Sequence, residues 1–235
     1  ACAMVDNTIS GCKDTAVWAR RGAKLSIENT RIDECGEGIM VDDSNTHVRC
    51  VRCTMEHCSG NGVSVMGGAV MEMEEGTVNN CGGDGFSVMG EGTDGAIDNC
   101  TVKHCRGHGV FCSGDGLARI NDNKVQYNAK TAIHVSDKAE ARVTNNILSV
   151  QPKSRRALGT SGEKVIEEFV SMSADSMLVM PPVGADQANT FSFSEDESAS
   201  GRDKLKPSEI ASSIGTPTGG MSGRASGAQT PQHWD

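Results

Sequence analysis

The sequence predicts an all-β solenoid of about six to seven coils, each of 23–24 residues. Three observations carry this. Cys12, Cys35, Cys58, Cys81, Cys105 and Asn128 recur at intervals of 23, 23, 23, 24 and 23 residues. Between these markers the apolar residues lie two apart in short bursts, which is the period of a strand and not of a helix. Residues 1–150 hold all ten cysteines, 19 of the 28 glycines and none of the six prolines. Missing prolines fit internal strands whose N–H groups all enter ladders.

Each coil contains three strand signals in order. The first is the column Met4, Ile27, Cys50, Met73, Ile97, Ile120 and Val143. The second is Ile9, Ile32, Met55, Val78, Val102, Val125 and Leu148. The third is Val17, Ile39, Val63, Phe86, Val110 and Ile133, usually preceded by glycine and followed two residues on by Ala19, Val41, Val65, Val88, Cys112 and Val135. Gly, Asn, Asp and Ser lie between the bursts, as turns demand. So short a unit cannot bury its own apolar face. Stacking solves this, because each strand then pairs in parallel with its equivalent about 4.8 Å away and like side chains form columns.

The segments CTMEHCSGNGVSV, CTVKHCRGHGVFC and NKVQYNAKTAIHV share the pattern N/C-x-I-x-x-N/C-x-x-x-G-I-x-V. From residue 4 to about 150 the chain resembles the right-handed parallel β-helix repeat family, the pectate-lyase-like solenoids. The resemblance implies a right-handed single-stranded parallel β-helix. It also implies that Asn or Cys at two turn columns points inward and stacks. Similar repeats occur in pectate lyases, mannuronan epimerases, periplasmic metal-pathway proteins and the β-helix region of F-box ubiquitin-ligase adaptors. The likeness is specific for fold and not for function, since one fold hosts unrelated activities.

Cysteine beside histidine in C-T-x-x-H-C, at 53–58 and 100–105, invites a zinc reading. Zinc needs four ligands within about 2.3 Å of one point. Cys50, Cys53 and Cys58 are expected to face inward and His57 outward, and His57 and His104, two coils apart, stand about 9.6 Å from each other. A ladder of small buried thiols is therefore the expected arrangement, with no metal and no cofactor. Stacked thiols point the same way and are not aimed at each other as a disulfide requires. Reduced cysteines, with no secretory signal in view, predict a cytoplasmic or nuclear location. The chain begins at Ala1, so a fragment or processed product is expected. Gly82–Val88, GGDGFSV, has Ser87 where a calcium β-roll needs Asp, and reads as a turn.

The outward residues of the third strand follow from alternation. One column is Trp18, Met40, Ser64, Ser87, Phe111 and His134; the next is Arg20, Asp42, Met66, Met89, Ser113 and Ser136. Arg20, Asp42 and His134 are the groups able to do acid–base work there. Arg20 and Asp42 read as a surface ion pair, and His134 lies roughly 19 Å from Asp42. Asp43, Asp94, Asp115 and Asp137 are scattered over several neighbouring turns, without the clustering a calcium-assisted lyase needs. No catalytic residue is assigned. Trp18, Met40, Met66, Met89, Phe111 and His134 instead form a stripe too apolar for a solvated sheet, expected to bind a partner. The alternative is that a local segment covers it, MLVMPPV at 177–183 being a candidate.

The division of the chain follows composition: 1–150 as coils, 151–183 as cap or linker with a short helix over 163–172, and 184–235 as a disordered polar tail. SFSEDES, residues 192–198, offers hydroxyls in an acidic context. The net charge of −9 splits into −6 for residues 1–150 and −3 for the rest. An acidic chain with four aromatics in its first 150 residues is a poor match to a phosphate backbone. No apolar run approaches the ~18 residues of a membrane span. The expectation is a non-catalytic protein-binding scaffold, a recognition module of a larger multidomain protein. The competing readings are a fragment of a polysaccharide lyase or uronate epimerase acting on a carbohydrate polymer, and a purely structural repeat.

Overall fold

The computed structural model describes residues 1–149, 169–173, 175–181 and 189–192. The first coil runs β1 (Cys2–Val5), β2 (Thr8–Ser10) and β3 (Thr15–Ala19), and the second β4 (Lys24–Glu28), β5 (Arg31–Asp33) and β6 (Glu37–Val41). The third is β7 (His47–Val51), β8 (Thr54–Glu56) and β9 (Val63–Met66), the fourth β10 (Val70–Glu74), β11 (Thr77–Asn79) and β12 (Phe86–Met89). Next come β13 (Asp94–Asp98), β14 (Thr101–Lys103) and β15 (Val110–Ser113), then β16 (Leu117–Asn121), β17 (Lys124–Gln126) and β18 (Ile133–Val135). The last strands are β19 (Glu140–Thr144), β20 (Ile147–Ser149), β21 (Val170–Met172), β22 (Met177–Val179) and β23 (Thr190–Ser192).

These form three parallel sheets. Sheet 1 runs β1-β4-β7-β10-β13-β16-β19-β22, sheet 2 runs β2-β5-β8-β11-β14-β17-β20-β23, and sheet 3 runs β3-β6-β9-β12-β15-β18-β21. Register follows the repeat: Met73 pairs with Cys50 and Ile97, Val78 with Met55 and Val102, and Val88 with Val65 and Cys112. Burial comes from stacking. Met4 and Ile9 of the first coil are partly buried, whereas Ile27 and Ile32, one coil further in, are fully buried.

The corners have a common construction. Asp6, Asn29, Arg52, Glu75, Asn99, Asp122 and Asn145, between sheets 1 and 2, have positive φ, as do Glu34, His57, Asn80, His104 and Tyr127 between sheets 2 and 3. One left-handed residue turns the chain, and the residue after it points inward. At 123 and 146 that residue is Asn. Asn123 Nδ2 donates to Ile97 O at 2.9 Å while its Oδ1 accepts from Cys100 N at 2.8 Å; Asn146 repeats the pattern with Ile120 O and Asn123 N. Cysteine is a weaker substitute. Cys53 Sγ donates to Ile27 O at 3.7 Å and Cys100 Sγ to Met73 O at 3.5 Å. In the second ladder Asn128 Oδ1 accepts from Cys105 N at 2.9 Å, and Cys35, Cys58, Cys81 and Cys105 donate to carbonyls two residues back.

The coil does not stop at residue 150. β21, β22 and β23 extend sheets 3, 1 and 2. Residues 163–168 of the expected helix lie outside the described residues; its last part, Val170–Met172, is strand β21 with Val170 buried. Thr190–Ser192 is likewise a strand within the segment expected to be disordered, and 193–235 lies outside the described residues. No helix among the described residues is long and apolar enough to cross a membrane.

Candidate functional site

The three outer faces differ. Sheets 1 and 2 are dressed by ion pairs that run along the stack, such as Arg49–Glu74 at 2.8 Å, Arg31–Glu56 at 2.6 Å and a bidentate Arg119–Asp94 pair at 3.0 and 3.1 Å. Exposed pairs of this kind contribute little to stability, but they mark a solvated surface. Sheet 3 carries the apolar stripe instead.

The sequence-predicted residues fall on that stripe in two columns. Trp18 pairs with Met40, Phe111 with His134, and Met66 with Met89 in the neighbouring column. Trp18 is 51% exposed, and Met40, Met66, Met89, Phe111 and His134 are half-buried. Arg20 does not pair with Asp42; its guanidinium lies over the Trp18 ring, 4.1 Å from the centroid. Asp42 Oδ1 accepts from Asp43 N at 2.7 Å. The proposed cover is elsewhere. Met177–Val179 runs in sheet 1 beside β19, because its alternation matches the inward column there.

His134 is more enclosed than alternation suggests. Its ring lies parallel to Phe111 (centroids 5.4 Å apart) and stacks on His108 at 4.6 Å. Nδ1 is 2.6 Å from Ser171 Oγ of β21. Burial pushes its pKa below the ordinary histidine value; Lys130 pushes the same way, against Asp84 and Asp137.

A third column was not foreseen. Glu37, Asn61, Asp84, His108 and Thr131 lead into sheet 3 at intervals of 24, 23, 24 and 23 residues. Asn61 Oδ1 accepts from Asp84 N at 2.7 Å, Asp84 Oδ1 from His108 N at 2.6 Å, and His108 Nδ1 from Thr131 N at 3.4 Å. This is a polar ladder on the outside, matching the thiol and amide ladders inside. The repeat interval was the available signal. Glu37 departs from the pattern: its Oε2 is buried without a hydrogen-bond partner, and burial raises its pKa, opposed by a hydrogen bond with Ser64. Ser87 Oγ, in the outward column, is also buried and unpartnered.

A raised carboxyl favours the folded state below the ordinary Glu pKa of 4.5 and loses that contribution as pH rises. Glu37→Gln is therefore expected to raise the thermal midpoint at pH 7 and to leave it unchanged near pH 4. A lower midpoint at pH 7 would contradict this.

Inside, Cys100 and Cys112 behave as small apolar groups. Burial pushes Cys100 up to about 11 and Cys112 up to about 12, so both are protonated at neutral pH. All ten cysteines are free. Cys58 is buried, while His57 next to it points out to Asp33 with Nδ1 and Oδ1 2.9 Å apart. Among the described residues no three or more His, Cys, Asp or Glu side chains are arranged to hold a metal.

Three parallel sheets in one coil and inward amide and thiol ladders define a parallel β-solenoid. The sequence pattern described as a right-handed beta helix region matches residues 1–148, and the chain belongs to that family. No curated protein and no solved structure matches it.

Proposed function

We propose that the protein is a non-catalytic scaffold that binds a protein partner along the outer face of sheet 3. The observation that carries this is the contrast between faces: ion pairs across sheets 1 and 2, and on sheet 3 a stripe from Trp18 through Met40, Met66, Met89 and Phe111 to His134. Met adapts its shape to a partner and aromatic groups supply contact area. A rigid sheet fixes their backbone beforehand, so binding orders side chains alone. By resemblance the setting is a multidomain assembly of the ubiquitin-ligase adaptor kind, in the cytoplasm or nucleus.

Site-specific photo-crosslinking tests this. A benzophenone side chain at position 66 or 89 is expected to give a discrete protein adduct in cells, and one at position 72 on sheet 1 is not. Equal labelling from both faces, or none from sheet 3, would remove the assignment.

The second reading is a carbohydrate-active lyase or epimerase, favoured by the half-buried Glu37 carboxyl with its raised pKa on the same face. It requires that uronate polymers yield unsaturated ends or altered epimer ratios, and that Glu37→Gln abolishes this. A polymer left unchanged by the protein contradicts it.

A further inference from the structure

Sheet 3 is bordered unequally. The turns that follow its strands carry Asp42, Asp43, Glu91, Asp115 and Asp137 from the second coil to the sixth, with Lys138 as the base among them. Glu91 and Asp115 are exposed and have no counter-ion among the described residues. Arg20 and Arg21 lie only at the first coil, where Arg20 is held over Trp18. Across the strands the other edge is mixed, with Asp84 in one turn and Arg106 and Lys130 in the next two, so the acidic edge is the one that follows the strands. A second, independent observation points to a ligand: Ser87, 1% exposed and outward on β12 between Ser64 and Phe111, has a hydroxyl without a partner. Two residues further along the same strands, Met66 and Met89 pair with each other and are flexible enough to move aside for an incoming chain.

We propose that the segment captured on sheet 3 is basic and apolar in alternation. Its apolar side chains seat along Met66, Met89 and Phe111, its Lys or Arg side chains face Glu91, Asp115 and Asp137, and its backbone reaches the Ser87 hydroxyl. This deepens, and rests on, the reading of sheet 3 as a partner surface. The charge pattern selects the sign of the partner and the apolar stripe supplies the contact area. An acidic segment meets like charge along the edge that carries Glu91, Asp115 and Asp137.

Two fluorescein-labelled decapeptides serve as probes, one alternating Lys and Leu and one alternating Glu and Leu, with binding read by anisotropy. The Lys-Leu peptide is expected to bind the full chain and the Glu-Leu peptide not to. Glu91→Lys/Asp115→Lys weakens the first about tenfold, as does raising the salt. Met66→Asp/Met89→Asp also weakens it, although that variant gains negative charge, and Met66→Gln/Met89→Gln does the same without a charge change. If the aspartate variant binds the Lys-Leu peptide as tightly as the parent or more tightly, attraction is general and the proposal falls. If both peptides bind equally, the basic character falls while the stripe as a partner surface stands. Failure of the Lys-Leu peptide together with a cross-linked adduct from position 89 overturns this inference alone; absence of that adduct overturns the reading beneath it.

Discussion

Asn123→Ala is expected to lower the unfolding free energy by about 3–5 kcal/mol, seen as a fall in the urea midpoint with little change in slope. Asn123 is 1% exposed and makes three buried hydrogen bonds, to Ile97 O, from Cys100 N and to Asn146 Oδ1. Removing it leaves the Cys100 N–H in the core without its acceptor, and each such orphan costs about 1–3 kcal/mol. The loss is local to two coil interfaces, and a repeat protein has no other contacts with which to absorb it. Cys100→Ala, at the equivalent position one coil earlier, removes the weak thiol bonds to Met73 O and Asp98 O and a sulfur acceptor 3.3 Å from Gly76 N, and because sulfur is a weaker acceptor than an amide oxygen it should cost clearly less. Equal costs for the two substitutions would mean that the amide ladder does not hold the coils together.

Gly85→Val has the next largest effect. A Cβ at Gly85 would run into Val102 Cγ1 and would stand 2.7 Å from Gly109 O and 3.4 Å from Cys105 Sγ. The neighbouring coil's backbone cannot retreat without breaking its own ladder. Overpacking of this kind costs about 1–3 kcal/mol for the first added carbon, and the branched side chain adds to it. The variant is expected to be insoluble or to melt far below the parent. Gly11 is the control. It has φ of +69° with nothing within 4 Å of a Cβ, and it shares its corner column with Asn80, so Gly11→Asn should be tolerated. A soluble, fully stable Gly85→Val protein would show that the glycine column is not set by coil-to-coil approach.

The parts legible in the sequence are those in which position and chemistry repeat together. Cys35, Cys58, Cys81 and Cys105 stand at an invariant place and share one chemical demand, a small side chain in the core. Their column could be read before any coordinate was known. Trp18, Met40, Met66, Met89, Phe111 and His134 followed from it by alternation.

What was missed repeats in position only. Glu37, Asn61, Asp84, His108 and Thr131 have nothing chemically in common except a side chain able to accept a hydrogen bond, which from Asn61 to His108 receives the N–H of the next coil. The final strands were hidden for another reason. Six residues, 127–132, separate β17 from β18, whereas 150–169 separate β20 from β21, and the interval that reveals the repeat is broken there. The composition change near residue 150 marks that long connection and not the end of the coil. The Arg20–Asp42 pairing failed because the Trp18 ring offers the guanidinium a flat, less hydrated surface on its own strand.

Stability and the face proposed to meet a partner both depend on like side chains lying over one another coil upon coil. Anomalous diffraction from the native sulfurs measures this directly. Cys12, Cys35, Cys58, Cys81 and Cys105 should appear as five peaks in a row about 4.8 Å apart, with Cys53 and Cys100 in a separate row about two spacings apart. Sulfur peaks scattered through the molecule, or gathered around one ion, would contradict the fold and the surface built on it.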